Sequence, residues 1–219
     1  MTSTRQSYNH ELEALRQEIL EMGTRVEQAI GQAITSLTKQ DLEMAMRVKA
    51  GDDYIDNMES DIEDKCMLLI ARQQPLARDL RIIGTGLKIT TDLERVGDHA
   101  YDIAKITLEI GKEPLLKPLV DIPRMSEMAQ KMLRDSLVAY INLDVRLAEQ
   151  VCEDDDAVDD LYDQTVRELL TYMMEDPTTI KQATQLLFVV RYLERVADHA
   201  TNIGEWVNYL VTGQRMRKK

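Results

Sequence analysis

Two stretches of this chain carry the residue types from which a cation site can be built. Leu93 to Ala100 reads Leu-Glu-Arg-Val-Gly-Asp-His-Ala, and Leu193 to Ala200 reads Leu-Glu-Arg-Val-Ala-Asp-His-Ala. With the residues that follow, each half presents oxygen-bearing side chains four residues apart: Glu94, Asp98 and Asp102, then Glu194, Asp198 and Asn202. On a helix each step of four advances about 40° past a full turn, so each trio forms a slowly drifting ridge. Leu93, Val96, Gly97, Ala100, Ile103 and Ala104 fall on a separate stripe, the expected core contact, and the acids flank it.

Like charges at this spacing repel by roughly a few tenths of a kcal/mol. A hard cation such as Mg²⁺, Mn²⁺, Ca²⁺ or iron would relieve that repulsion through carboxylate oxygens. One helix cannot enclose an ion. Further ligands are available in the acid-rich segments upstream: Asp53, Asp56 and Glu59 in the first half, and Asp156, Asp159 and Asp163 in the second. Two metal-free readings stand beside this one. The acids can be a solvated face, or they can join an ion-pair seam with Arg95 and Arg195 across helices. His99 and His199 directly follow the acids but turn about 100° away from them, which suits a surface or interface role better than ligation.

The elements that must position these side chains are helices. Among 219 residues, 44% are hydrophobic and only 5% aromatic, with 12 Met, a composition suited to helices packed by aliphatic side chains. Leu12, Leu15, Ile19, Met22, Val26, Ala29, Ala33 and Leu37 alternate spacings of three and four, predicting a helix from about Tyr8 to Thr38. Asp41 is placed to cap a second, which carries Leu42, Ala45, Val48, Ile55, Ile62, Cys66 and Leu69 and ends near Gln74. A third begins near Leu76, carries Leu80, Ile83 and Leu87 and then the acidic ridge, and runs to Gly111. Gly31 and Gly51 lie inside these helices and weaken them by about 1 kcal/mol each; a kink or break at Gly51 is expected. Pro114, Pro118 and Pro123 mark the stretch from Gly111 to Pro123 as the linker, and Pro75 and Pro177 stand where helices stop or start.

The second half repeats the plan. Asp144, Val145, Ala148, Val151, Asp155, Asp156, Val158 and Asp159 match Asp41, Leu42, Ala45, Val48, Asp52, Asp53, Ile55 and Asp56 at an offset of 103, which becomes 102 at the prolines and 100 at the acidic ridges. This is a diverged tandem duplication. The expected architecture is all-α: six long helices in two tandem three-helix bundles, residues 1–112 and 113–219, related by a pseudo-twofold axis.

The remaining composition excludes several functions. A net charge of −12, from 27 basic and 39 acidic residues, disfavours nonspecific binding to nucleic acid or anionic lipid. The one basic run is the tail Arg215, Arg217, Lys218 and Lys219, read as a solvated end. There is no signal-like apolar run at the start and no span of ~18 apolar residues. Cys66 and Cys152 are isolated in sequence and read as ordinary thiols. No nucleophile elbow, Walker loop or dinucleotide fingerprint is present. A ferritin-like di-metal oxidase or storage bundle needs Glu-x-x-His pairs, and Ser7, Val96 and Val196 stand three before the histidines. A metal-free structural helical repeat is the other alternative.

Gln73-Gln74-Pro75-Leu76-Ala77-Arg78-Asp79-Leu80-Arg81, followed by the two Leu-Glu-Arg-Val motifs, resembles the PhoU family over nearly the whole chain. The resemblance implies a non-enzymatic, cytoplasmic negative regulator of phosphate uptake and of the phosphate-starvation genes. Its implied partners are the ATPase subunit of a phosphate ABC transporter and a phosphate sensor histidine kinase. It is expected to be a homodimer, peripheral to membrane complexes only. It further implies metal ions (iron, manganese or magnesium), often in multinuclear clusters, at Glu94, Asp98 and Asp102 and at Glu194, Asp198 and Asn202. Asp56 and Asp159 are added as ligands from the neighbouring helices. Asn202 for Asp102 and Ala197 for Gly97 are where the second motif departs from the first.

Overall fold

The computed structural model describes residues 2–73 and 75–215, with side chains described from Tyr8 onward and not at Gln73. Gln74 of the family-like motif and Arg217, Lys218 and Lys219 of the basic tail lie outside the described residues. Six long helices follow in order: α1 Thr2–Lys39, α2 Leu42–Gln73, α3 Ala77–Ile110, α4 Asp121–Asn142, α5 Val145–Glu175 and α6 Ile180–Thr212, with a 3₁₀ turn at Pro177–Thr179. The first helix begins earlier than its apolar stripe predicts. The other predicted ends agree within a residue or so.

The duplication is visible in the turns. Among the described residues, Gln40 and Leu143, at the offset of 103, are the two non-glycine residues with positive φ, 50° and 54°. The next residue caps the following helix in both cases. Asp41 Oδ1 accepts from Met44 N at 2.9 Å, and Asp144 Oδ1 accepts from Arg146 N and Leu147 N at 3.0 and 3.1 Å. Each carboxylate satisfies a backbone N–H left over at a helix start, which stabilises the helix by about 1 kcal/mol. The linker is held in place: Gln40 Nε2 donates to the carbonyls of Gly111 and Glu113, and Gln182 Nε2 donates to that of Pro114.

Helices α1 to α3 form one bundle and α4 to α6 the other, joined through α3 against α6 and α1 against α4. Leu93, Val96 and Ile103 of α3 and their counterparts Leu193, Val196 and Ile203 of α6 have no exposed surface. Burying one such side chain stabilises by roughly 1.5–3 kcal/mol, so the ridge helices are held rigidly along their apolar stripes. Helix α2 runs through Gly51 without a break, and a Cβ there would meet nothing within 4 Å. Gly23 has a different role: a Cβ there would lie 2.3 Å from Leu137 Cδ1, so its missing side chain lets α4 approach α1. Leu80, expected on the core stripe, is 46% exposed beside the α3/α6 groove. Among the described residues no helix is long and apolar enough to cross a membrane.

Candidate metal centres

In each bundle the ridge of the third helix faces an acidic ridge on the second. Across α2 and α3, Asp56 and Glu59 act electrostatically on Glu94, and Asp52 and Glu59 on Asp98, with Asp52 acting on Asp102 as well. Across α5 and α6, Asp155 and Asp159 meet Glu194 and Asp198, with Asp163 beside Asp159. On the second helices Asp52, Glu59 and Asp155 are half-buried, whereas Asp56 and Asp159 are exposed, as are Asp53 and Asp156, one residue on from Asp52 and Asp155. The sequence did hold this signal: Asp52, Asp56 and Glu59 continue a spacing of four and three along one face, as the acids of α3 do, and Asp53 falls about 100° off it. Gly97 helps bring the helices together, since a Cβ there would lie 3.1 Å from Ile55 Cγ2 and 3.8 Å from Asp52 Oδ1.

These carboxylates are crowded and partly dried. Burial first, then neighbouring Asp98, pushes Glu94 up to about 7; burial and the surrounding aspartates push Asp52 and Asp155 up to about 6. Glu194, Asp102 and Asp159 are raised as well, in each case chiefly by burial. The arginines relieve this only partly: Arg95 and Arg191 draw down Glu59 and Asp159 on the facing helices, while their ion pairs lie along their own helix. Arg95 pairs with Glu94 at 3.3 Å and Asp98 at 3.0 Å on its own helix, and Arg191 with Glu194 at 2.6 Å on its own. Glu94 Oε2 and Glu194 Oε2, at equivalent positions of the repeat, are buried and take no hydrogen bond, their nearest cations being Arg95 Nε at 3.3 Å and Arg195 Nε at 4.0 Å. Buried oxygens of this kind are costly unless something positive or protic meets them.

The donor set therefore fits a hard, oxygen-liganded cation. Among the described residues no three His, Cys, Asp or Glu side chains are already drawn together around one point, so ligation requires side-chain rotation on the two facing helices. The candidate ligands are Glu94, Asp98, Asp102, Asp52 and Asp56 in one bundle, and Glu194, Asp198, Asp155 and Asp159 in the other.

Asn202 has different surroundings. Its Nδ2 donates to Asp92 Oδ1 at 3.2 Å, across the seam between α6 and α3, and His199 Nδ1 lies 2.8 Å from the same oxygen. His99 also sits in this seam, stacked on Tyr192 at 5.4 Å between ring centroids and 5.8 Å from His199. Burial, then neighbouring His199, Arg195 and Arg95, pull His99 down to about 4. His99 and His199 are interface residues between the bundles, in the seam where Tyr192 also meets Asp102, and lack the Glu-x-x-His pairing of a ferritin-like oxidase.

With this geometry in hand, comparison with known proteins finds the PhoU domain twice, matching residues 19–107 and 122–207, one copy in each bundle. The chain is 44% identical over 214 residues to the phosphate-specific transport system accessory protein PhoU homolog of Clostridium acetobutylicum, covering 97% of this chain and 98% of the relative. It is 47% identical over 204 residues to the homolog of the same description from Aquifex aeolicus, covering 93% and 92%. The crystal structure of PhoU from Pseudomonas aeruginosa superposes with a TM-score of 0.91 at 38% identity, covering 94% of this chain and 100% of that one.

Proposed function

The chain belongs to the PhoU family, and from that premise we propose that it is a non-enzymatic negative regulator of phosphate uptake and of the phosphate-starvation genes. It acts in the cytoplasm, as a homodimer, between the ATPase subunit of a phosphate ABC transporter and a sensor histidine kinase. The relatives' description as accessory proteins of the phosphate-specific transport system supports the transporter side of this reading.

Each bundle holds iron, manganese or magnesium on its facing acid ridges. The observation that supports this part is the pair of buried oxygens Glu94 Oε2 and Glu194 Oε2, which take no hydrogen bond and sit among carboxylates raised by burial and mutual repulsion. Bound cations would neutralise those acids and brace α2 against α3 and α5 against α6. The protein supplies oxygen donors from two helices per site, and the half-buried Asp52 and Asp155 complete each ridge.

Deletion of the gene in phosphate-replete cells tests the regulatory role. Constitutive expression of phosphate-starvation phosphatase genes, reversed by the wild-type chain, is the expected result. Unchanged expression and unchanged phosphate uptake contradict it.

A further inference from the structure

About 20 Å along α3 from Glu94, at 1.5 Å per residue, three arginines converge. Arg16 of α1 and Arg78 and Arg81 of α3 line a small, partly open cavity of about 120 Å³, with Ile82, Leu143 and Leu210 as its apolar walls. That is the space of about four waters at roughly 30 Å³ each, which suits a tetrahedral oxyanion and leaves no room for a nucleoside.

The charges here are poorly compensated. In a chain of net charge −12, the carboxylate within ion-pair reach of these arginines, among the described residues, is the exposed Glu13, 3.7 Å from Arg16. Such an exposed pair contributes little. Asp79, between Arg78 and Arg81 in sequence, pairs with neither. Arg16 Nε and Arg81 Nε are both buried without a hydrogen-bond partner, as is Thr85 Oγ1 on the same face of α3, while the hydroxyl of Tyr140 lies within hydrogen-bonding reach of Arg16. The carbonyl ends of α4 and α6 reach the cavity near Leu143 and Val211, yet none accepts a hydrogen bond from the three guanidiniums. Arg78 also sits in the first turn of α3, where the helix dipole already carries positive potential.

Convergent guanidiniums with unused N–H groups match the oxygen geometry of phosphate, which they bind in bidentate fashion. We propose that Arg16, Arg78 and Arg81 form a binding site for a phosphate-class oxyanion, separate from the acid ridges. Arg81 also lines an open groove of about 610 Å³ between α3 and α6, with Lys88, Trp206 and Arg215, which gives the ion a basic route inward. This site stands on its own geometry and does not depend on the regulatory role.

The test is isothermal titration of inorganic phosphate into the full-length purified chain at constant ionic strength, with chloride and ATP as comparison arms. One saturable phosphate site is expected, weakened roughly tenfold or more in both Arg78→Gln and Arg81→Lys, with helix content by circular dichroism unchanged. Arg78 is exposed, so its variant keeps the test informative if the change at Arg81 disturbs folding. Absence of saturable heat, wild-type affinity retained in both variants, or equal competition by chloride overturns the site. ATP no tighter than phosphate supports the free ion; ATP tighter than phosphate overturns that assignment.

Discussion

Asn202 Nδ2 donates to Asp92 Oδ1 at 3.2 Å, and this contact explains the one polar departure between the two ridge motifs. The offset of 100 carries Asn202 onto Asp102 and Asp92 onto Tyr192, and the Tyr192 hydroxyl lies against the Asp102 carboxylate. The bundles thus meet twice through a donor and an acceptor, with the roles exchanged across the pseudo-twofold axis. An acid at position 202 would face Asp92 with a second negative charge; an acid at position 102 faces a hydroxyl.

Asn202→Asp is therefore expected to destabilise the chain by about 1–3 kcal/mol at neutral pH, by placing two part-buried carboxylates in contact. Adding Asp92→Asn should restore most of the loss. Urea melts of the two variants and the wild type check this; an unchanged midpoint in the single variant contradicts the seam.

Crowded acids cost the metal-free protein stability. Glu94, raised to about 7, retains its proton in the folded state over a range where the unfolded chain has lost it. Its contribution is unfavourable above pH 7 and is relieved as pH falls towards 4.5. Glu94→Gln should accordingly stabilise the chelator-treated protein at pH 7.5, by about 1–2 kcal/mol after allowance for solvent screening, and should flatten the stability gain between pH 7 and 5. Denaturant midpoints across pH measure it.

His99 has the opposite sign. Lowered to about 4, it stays neutral in the folded chain while the unfolded chain takes up a proton below about 6.5. Its contribution is fully present above pH 6.5 and is lost as pH falls towards 4. His99→Gln should remove that acid-side loss, seen as a shallower fall in melting temperature between pH 6.5 and 4 than in the wild type.

Two glycine substitutions should separate helix propensity from packing. Gly51→Ala, with open space around its Cβ, is expected to stabilise by roughly 0.5–1 kcal/mol. Gly204→Ala puts a Cβ 2.9 Å from the Ala148 carbonyl oxygen and 3.4 Å from Cys152 Sγ, and is expected to destabilise by about 1–3 kcal/mol in spite of the better propensity. Thermal melts decide both.

The apolar periodicity of α1 to α3, the caps Asp41 and Asp144 and the constant repeat offset made the six-helix duplication legible before any coordinates. So did the acid ridges on α3 and α6, because one helix sets its own face. Pairing between helices was less legible. Which acid of Asp52 and Asp53 turns inward depends on the rotation of α2 about its axis, and Asn202 looks like a ridge member until the other bundle supplies Asp92. The Arg16, Arg78 and Arg81 cavity joins helices distant in sequence, and no local pattern announces it.

The most direct measurement is the metal content of the purified chain by elemental analysis, before and after dialysis. The wild type should be compared with a variant carrying Glu94→Gln, Asp98→Asn, Glu194→Gln and Asp198→Asn. Iron, manganese or magnesium retained by the wild type and lost from the variant is the expected result. A wild-type chain that retains no more metal than the variant contradicts the assignment of the acid ridges as cation sites.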